Sequence, residues 1–427
     1  MSYKLTQRMM AMLDILFTKS AGLHSNQLRD VGVKDGKITY IADSSEAAPE
    51  SIEVYDLAGK LLLPGLVEPH IHLDKALLLE RMAEDVTELR RAIEVTSRLK
   101  QSFTAEDIYE RSMRVIRQAV SKGITHMRCH AEIDPVIGLT SMEAMVALRQ
   151  QLQGIIDLQV VAFPQDGLFH DERMLSLMQQ AAALGPDVIG GITYMDTDLS
   201  DHLAYVFEMA EQRGLPVDLH VDFSDNPQQL AIKQVIEATK HYGMQGKVSV
   251  GHLTSLGAAD REDAKRIAAD IAEAGIHVIS LPLTDLYLNG RGEFKGDYRG
   301  LTPISTLLEH GVNVTYGSNN VQNAFTPFGT TDPLDVGLLL AQTSHLGSAK
   351  DAMQLLRMAT LGAADALGLT EYGLRIGADA DLIVCAAKDA RSLLYERPER
   401  ERVYKRGRLV SQTEVKQHNW LSMETVG

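Results

Sequence analysis

Four histidines stand where their ring nitrogens could act together on one ion. His70 and His72 are separated by one residue in the apolar segment 66–74, and His220 and His252 lie near the ends of two later apolar segments. Side chains two residues apart in a β-strand lie on the same face, so His70 and His72 would point together. Neutral imidazoles are common ligands of divalent metals such as zinc and iron. A single strand histidine is more often a hydrogen-bonded core residue, but histidine at several strand ends favours a metal site.

The segments that would position these histidines alternate between strand-like and helix-like patterns from about residue 65 onward. Helical stretches such as 104–123 separate eight strand-like segments, at 66–74, 125–133, 157–165, 188–195, 216–223, 247–254, 277–283 and 313–320. This alternation predicts a parallel sheet, and the count of eight favours a closed (β/α)₈ TIM-type barrel of the α/β class. A doubly wound open sheet is the alternative, but no GxGxxG motif follows an early strand. In a barrel, the C-terminal strand ends carry the chemistry.

Both ends of the chain show a different pattern from the middle. Short segments that alternate with a period of two precede residue 64 and return after residue 378, and the pair Asp35-Gly36 is typical of a hairpin turn. We therefore predict a small β-sandwich domain built from both chain ends, residues 1–63 and 368–427. The barrel domain would occupy residues 64–367.

The amino-acid composition disfavours some classes of binding partner. The 427 residues include 42 Lys and Arg against 57 Asp and Glu, a net charge of −15, which disfavours nucleic acid and anionic membranes as partners. No run of about 18 apolar residues is present, so no membrane span is predicted. The first residues lack the pattern of a signal peptide, and two cysteines cannot form a disulfide framework. We therefore expect a cytoplasmic protein, and homo-oligomerisation stays open.

Longer motifs resemble those of the amidohydrolase superfamily, in the branch that holds cytosine deaminase and N-isopropylammelide aminohydrolase. The resemblance runs through nearly the whole chain. It is carried by LPGLVEPHIHLDK (63–75), GITHMRCHAEID (123–134), DLQVVAFPQDG (157–167), VDLHVDF (217–223), GHLTS (251–255), LYLNGR (286–291), GVNVTYGSNN (311–320), NAFTPFGTTDPL (323–334) and YGLRIGADADLIV (372–384).

The resemblance implies one divalent metal ion, zinc or iron, as cofactor. His70 and His72 correspond to the paired metal ligands of the family, and His220 to the third ligand. His252 corresponds to the histidine that polarises the hydrolytic water or the substrate. A metal-activated water would then attack an sp² carbon, and His252 would stabilise the charge that develops.

The resemblance also implies a small heterocyclic molecule as the substrate. Gln165 corresponds to a glutamine that hydrogen-bonds the amide face of a pyrimidine-like ring, although a strand-end residue bonded to the next loop is an equal interpretation. Asn289 and Arg291 would lie beside the ring, and Arg291 also fits a solvated loop charge. His130, on the second strand, is either a substrate contact or a buried structural histidine.

The chain departs from the family at two positions expected to carry protons. Asn319 stands where the family has a metal-binding aspartate after strand eight, and Phe223 where it has a glutamate three residues after His220. An amide oxygen is neutral and essentially non-basic, so Asn319 should bind the metal more weakly and accept no proton. Phe223 would instead give the substrate an apolar wall. Asp222 is the first candidate for the missing proton carrier, and Asp285 is another.

These observations predict a metal-dependent amidohydrolase or deaminase with altered proton-transfer residues. It would hydrolyse a C–N bond of a small pyrimidine-, triazine- or amidine-like ring. One alternative is a catalytically weakened barrel that binds a small heterocycle without turning it over. Another is a metal-assisted lyase or isomerase.

Overall fold

The computed structural model describes residues 12–23, 27–291 and 299–418. Residues 1–11, 24–26 and 419–427, which belong to the predicted small domain, lie outside the described residues. Five strands come first: β1 (Leu13–Ala21), β2 (Leu28–Lys34), β3 (Lys37–Asp43), β4 (Ser51–Asp56) and β5 (Leu61–Pro64). β2 and β3 form the predicted antiparallel hairpin, in which Asp35 and Gly36 have φ of 49° and 75°. Such positive φ values are what a tight hairpin turn between twisted strands requires.

The middle of the chain contains eight further strands in one parallel sheet. They are β6 (Leu66–Ile71), β7 (Ile124–Glu132), β8 (Asp157–Phe163), β9 (Val188–Ile192), β10 (Val217–Val221), β11 (Val248–His252), β12 (His277–Ser280) and β13 (Val314–Tyr316). Every residue of β6, β7, β9, β10 and β11 is buried. Continuous burial is expected for parallel strands, because helices cover the face that does not point into the barrel.

Helices follow most of these strands and pack around the sheet. They are α1 (Leu89–Lys100), α2 (Ala105–Ser121), α3 (Thr140–Gln151), α4 (Met174–Ala183), α5 (Leu199–Arg213), α6 (Ile232–His241), α7 (Thr254–Ala258), α8 (Arg261–Glu273), α9 (Pro282–Leu288), α10 (Ile304–Glu309), α11 (Pro333–Thr343), α12 (Ala349–Met358), α13 (Leu361–Leu367) and α14 (Ala390–Glu396). In α2, the Thr104 side chain caps the first turn by accepting from the Asp107 amide. Its Ile108 and Val115 belong to the stripe buried against the barrel.

The sheet closes between its first and last strands. Ile71 pairs with Asn319 in a parallel bridge. The His72 amide donates to the Asn319 carbonyl at 2.8 Å, and the Asn319 amide donates to the His70 carbonyl at 2.8 Å. The eight strands therefore form the predicted closed barrel, and its closing hydrogen bonds join the segments that carry His70, His72 and Asn319.

A second, mixed sheet combines strands from both ends of the described chain. β14 (Leu382–Cys385), β15 (Arg400–Lys405) and β16 (Arg408–Gln412) continue from β5, in the order β16-β15-β14-β5-β1-β2-β3, with β4 also paired to β1. A separate buried cluster that includes Phe17, Val31, Leu382 and Tyr404 forms its core. The prediction of a TIM-type barrel with a β-sandwich assembled from both ends is confirmed. Among the described residues, no helix is long and apolar enough to cross a membrane.

Candidate active site

Three histidines converge at the C-terminal end of the barrel. His70 lies near the end of β6, His72 follows that strand, and His220 lies in β10. Each offers a ring nitrogen within 4.8 Å of the other two, and the Nε2 atoms of His72 and His220 are 3.1 Å apart. Two nitrogens bound at about 2.1 Å to one tetrahedral ion would lie about 3.4 Å apart. The spacing of these two rings therefore suits ligands of a shared ion.

The electrostatic state of the three rings also suits a cation. Burial, together with the neighbouring histidines, holds the pKa of His70 and of His220 well below the ordinary value, and burial beside Lys75 does the same for His72. These rings are therefore neutral and keep unprotonated nitrogens. Both nitrogens of His70 and the Nδ1 atoms of His72 and His220 are buried without a hydrogen-bond partner. Buried polar atoms without a partner are costly, and a metal ion would remove that cost.

Asn319 reaches the same pocket from the other side of the barrel closure. It follows β13 with a φ of 57°, a left-handed conformation that asparagine tolerates better than most residues. Its Oδ1 atom is buried and has no partner, and the residue lines the pocket together with His72 and His220. The residues present thus fit a divalent ion, with imidazole nitrogens as the main donors and one neutral amide oxygen nearby.

A buried charged group lies beneath the three histidines. The ring of His130 stacks against that of His70, with centroids 3.9 Å apart, and its Nε2 lies 3.2 Å from Asp218 Oδ1. Asp218 also accepts from Arg128 at 2.9 Å and lies 3.8 Å from Nδ1 of His70. Burial would raise the pKa of Asp218, but His130 and Arg128 lower it overall. This carboxylate can orient the His70 ring, whereas His130 does not line the pocket.

His252 is held by a carboxylate that the sequence left as a secondary candidate. Asp285, buried in α9, has its Oδ1 atom 2.6 Å from Nδ1 of His252. His252 ends β11 with a φ of 75°, and the ring of Phe223 stacks on it with centroids 4.2 Å apart. Burial raises the pKa of Asp285, although His252 opposes that rise. A histidine whose Nδ1–H is given to a carboxylate presents Nε2 as its acceptor.

Asp222 has a different environment from the one expected on a strand. β10 ends at Val221, and Asp222 turns out of the strand with a φ of 54°. Its two carboxylate oxygens accept from the amides of Ala231 and Ile232, at 2.7 and 3.2 Å, at the start of α6. Burial raises the pKa of Asp222 to about 7, but the side chain does not line the pocket. The geometry favours Asp285 over Asp222 as the carboxylate that serves the pocket.

The pocket over the histidines is small and has a mostly apolar outer wall. The empty space inside it, which includes open solvent, is about 310 Å³. The described side chains that line it are His72, Lys75, Leu89, Ile93, Gln165, Tyr194, His220, Phe223, His252, Thr284, Asn319, Asn320 and Phe325. None of these is a carboxylate. Gln165 and Phe223 both line the pocket, and their contact with a substrate ring stays a prediction.

Asn289 and Arg291 do not line this pocket. Asn289 is buried and donates to the Thr254 hydroxyl at 3.3 Å. Arg291 is exposed, donates to the Tyr287 carbonyl at 2.7 Å and lies over the Tyr287 ring. Both side chains thus serve local structure, and a substrate contact by either of them stays a prediction.

Lys75 lines the pocket but received no role from sequence reasoning. Its Nζ atom donates to Oε1 of Gln165 at 2.6 Å and to Oε1 of Glu132. Lys100 binds the second oxygen of Glu132 at 2.9 Å. Burial would raise the pKa of Glu132, but Lys100 and Lys75 lower it to about 2. The sequence gave no signal for this role, because lysine is usually exposed and only the structure shows that Lys75 is buried.

The fold and the site together are those of a (β/α)₈ barrel with a candidate metal site built from histidines. The chain belongs to the amidohydrolase family, whose model matches residues 80–411. It is 29% identical over 389 residues to pterin deaminase of Rhizobium rhizogenes, with 90% of this chain and 88% of the relative covered. It is 24% identical over 414 residues to N-isopropylammelide isopropyl amidohydrolase of a Pseudomonas species, with 94% and 98% covered.

A solved structure has the same fold. The 5-methylcytosine deaminase of Klebsiella pneumoniae with phosphonocytosine superposes with a TM-score of 0.89 at 27% identity, and 95% of this chain and 100% of the other are covered. The predicted resemblance is therefore confirmed, and the chain is a hydrolase of the deaminase type that acts on non-peptide C–N bonds. Its family generally uses a divalent metal, and the histidine group offers a place for one.

Proposed function

We propose that this enzyme hydrolyses the exocyclic C–N bond of a small six-membered or fused heterocycle, with one divalent ion, zinc or iron, held by His70, His72 and His220. The observation that carries the proposal is the convergence of three neutral, buried imidazoles whose nitrogens lie within 4.8 Å of one another. Several of those nitrogens lack a partner. The relatives are named for pterin, N-isopropylammelide and 5-methylcytosine, which supports a nitrogen heterocycle as the substrate.

In this proposal the divalent metal ion and the protein side chains have different chemical roles. A bound divalent ion supplies Lewis acidity and lowers the pKa of water. Asn319 adds a neutral oxygen donor, which leaves more positive charge at the centre than an aspartate would. His252 accepts a proton through Nε2 and returns it to the leaving amine, while Asp285 fixes the ring and its tautomer. Asp285 is thus a positioning residue, and His252 carries out the proton transfer that carboxylates at 223 and 319 would otherwise provide.

The side chains around Phe223 make the pocket wall apolar where the substrate ring would bind. Phe223 and Phe325 are buried, and Leu89 and Ile93 of α1 line the same pocket. No proton donor is available from Phe223, so cytosine, which the family protonates from that position, is disfavoured. A flat ring that buries its faces against these side chains gains roughly 25 cal/mol for each Å² of apolar surface removed from water.

The test combines metal analysis with product detection. The purified enzyme should hold close to one equivalent of zinc or iron and release ammonia or an amine from at least one member of a panel of aminopyrimidines, aminotriazines, pterins and cyclic amidines. His220→Asn should lose both metal and activity, whereas His241→Asn, at the exposed end of α6, should retain both. Metal-replete enzyme without turnover across the panel would contradict the proposal. Incorporation of oxygen from labelled water separates hydrolysis from lyase or isomerase chemistry.

One observation favours a second candidate, a barrel that binds a heterocycle with little or no turnover. No carboxylate lines the pocket among the described residues, and the two substituted positions, Phe223 and Asn319, both face it. The double variant Phe223→Glu with Asn319→Asp distinguishes the two candidates. A gain of deaminase activity would indicate a disabled scaffold, whereas loss of existing activity would indicate an enzyme with changed proton transfer.

A further inference from the structure

A buried carboxylate on the first barrel strand has no task in the proposed mechanism. Glu68 lies in β6, two residues before His70, and is 1% exposed. In the part of the chain that the structure describes, all its hydrogen bonds come from His70 and Ser318, and no cation pairs with it. Burial of a charge is costly unless other groups pair with it or donate hydrogen bonds to it. The donors around Glu68 therefore decide whether this position can hold a carboxylate.

These donors lie on both sides of the closure of the barrel. Oε1 of Glu68 accepts from the His70 amide at 3.1 Å and from the Ser318 amide at 3.0 Å. Oε2 accepts from the Ser318 hydroxyl at 2.6 Å and shares the Ser318 amide at 3.1 Å. Ser318 follows β13 and precedes Asn319. One side chain of the first strand thus holds the chain where it leaves the last strand.

The glycine before Ser318 allows this close approach. A Cβ atom at Gly317 would lie 2.6 Å from Oε1 of Glu68 and 2.9 Å from the His70 carbonyl oxygen. Both distances are shorter than van der Waals contact, so a side chain at this position would displace the carboxylate or the segment. Gly317 and Glu68 thus fit each other, and a change at either position should disturb the same contacts.

The segment that Glu68 holds carries Asn319 into the pocket. Asn319 has a φ of 57°, and its Oδ1 atom is buried without a partner. A non-glycine residue in the left-handed region is held there by its surroundings. Its amide donates to the His70 carbonyl at 2.8 Å, and Glu68 fixes the amide and hydroxyl of the residue before it. The direction of the Asn319 side chain therefore depends on contacts that Glu68 makes.

Resting on the proposed function, we infer that Glu68 is a positioning residue of the metal site, which holds the Asn319 oxygen beside the three histidines through its hydrogen bonds to Ser318. Geometry and not charge carries this role. In Glu68→Gln the amide oxygen can still accept from the backbone amides of His70 and Ser318, and the NH₂ group can donate to the Ser318 hydroxyl oxygen. In Glu68→Met the Ser318 amide loses its acceptor, and a buried N–H group without a partner is costly.

Hydrogen exchange of the metal-free enzyme, followed by mass spectrometry, tests this positioning directly. In Glu68→Met the peptide over residues 314–321 should exchange at least about tenfold faster, whereas a peptide over β10 should not change. Glu68→Gln should exchange like the wild type, and so should the matched control Tyr316→Phe, since the Tyr316 hydroxyl has no partner among the described residues. Gly317→Ala, which keeps the carboxylate but separates it from Ser318, should exchange like Glu68→Met and provides a separate test if that variant fails to fold.

Zinc affinity, measured by competition with a chelator, tests the consequence for the ion. Asn319→Asp should tighten zinc binding about tenfold in the wild type and in Glu68→Gln, but less than about threefold in Glu68→Met, where residue 319 is no longer held. Each comparison changes only position 319, so a general loss of stability in one background cancels. Tenfold tightening in Glu68→Met, or an equally small effect in Glu68→Gln, would overturn the inference.

The outcomes separate this inference from the function on which it rests. Faster exchange in Glu68→Met, together with wild-type enzyme that binds no zinc, would support the hold of Glu68 on Ser318 and contradict the proposed function. Bound zinc, with the same exchange in Glu68→Met as in the wild type, would contradict the role of Glu68 alone.

Discussion

The two ends of the barrel hold similar residues in different states. At the C-terminal end, His70, His72 and His220 converge with unpaired nitrogens. At the N-terminal end, His126, Asp157 and Asp381 also place their ligand atoms within 4.8 Å of one another; we call this group, with Lys405, the lower cluster. There Nζ of Lys405 lies 2.8 Å from Asp157, 2.7 Å from Asp381 and 3.3 Å from Nε2 of His126.

Proximity of possible ligand atoms therefore does not by itself define a metal site. The Lys405 side chain is fully buried and supplies the positive charge that an ion would otherwise supply. Burial beside Lys405 lowers the pKa of His126 to about 3, so that ring is neutral and adds no charge. The lower cluster therefore joins the barrel to the β-sandwich, because Asp381 and Lys405 come from strands of the second sheet or next to them. Among the described residues, no lysine or arginine nitrogen hydrogen-bonds the rings of His70, His72 or His220.

The largest expected difference follows from removing one histidine at each end. His72→Asn should reduce bound metal to below about a tenth of an equivalent and lower activity about a thousandfold, since metal catalysis contributes several kcal/mol. His126→Asn should keep both metal and activity near the wild-type level. Elemental analysis after dialysis and steady-state rates provide the comparison. Metal loss in His126→Asn, or its retention in His72→Asn, would contradict the assignment.

A second prediction tests the structural role of the lower cluster. Lys405→Met should reduce the free energy of unfolding by about 2–4 kcal/mol, because it leaves the buried Asp381 without its partner, while the partly exposed Asp157 loses less. Urea denaturation measures this, with Lys265→Met, at a half-exposed position of α8, as a control that should stay within about 0.5 kcal/mol. Bound metal in folded Lys405→Met should be unchanged. Wild-type stability in this variant would show that the cluster does not join the two sheets.

The next prediction concerns Asp285, the carboxylate that hydrogen-bonds His252. Asp285 acts by positioning the His252 ring, whereas the carboxylates of the lower cluster form ion pairs with Lys405. Asp285→Asn should lower kcat about a hundredfold with bound metal retained, since loss of a positioned acid–base group costs that order of rate. KM should change little, and the alkaline and acid limbs of the pH–rate profile should move. Asp285→Glu should recover part of the rate. A variant with wild-type kcat and pH profile would remove Asp285 from the proton path.

The smallest expected effect concerns Asn319, which lines the pocket beside His72 and His220. Asn319→Asp should tighten metal binding about tenfold, because an anionic oxygen replaces a neutral one. Competition with a chelator measures the dissociation constant of the ion. Asn320→Asp, one residue further along, is the matched control and should change the constant less. An unchanged constant in Asn319→Asp would show that position 319 does not contact the ion.

Sequence patterns predicted the barrel because its strands are continuous apolar runs. The eight segments all correspond to strands, but the predicted ends extend too far: 216–223 became Val217–Val221, and 313–320 became Val314–Tyr316. Positive φ at Asp222 ends the regular strand there, whereas β13 has already ended three residues before Asn319, which also has a positive φ. Alternation along a strand cannot reveal such a turn, so the sequence could not show that Asp222, its first candidate for the proton carrier, lies beyond the end of the strand.

The remaining site features depend on contacts between distant parts of the chain. The Lys75 contacts to Glu132 and Gln165 span 57 and 90 residues. The sequence left His130 as either a substrate contact or a buried structural histidine, because it does not show the depth along the barrel axis that decides whether a residue reaches the pocket. His130 lies too deep, beside Asp218. The HxH spacing of His70 and His72, by contrast, is local, and it was sufficient to place both rings together.

We propose that His70, His72 and His220 bind one metal ion. Anomalous diffraction from crystals of the purified enzyme, recorded on both sides of the zinc and iron absorption edges, tests it directly. We expect one strong peak about 2.0–2.2 Å from a ring nitrogen of each histidine, and none at the lower cluster. A peak at His126, Asp157 and Asp381, or no peak among the three histidines in crystals of metal-replete protein, would contradict it.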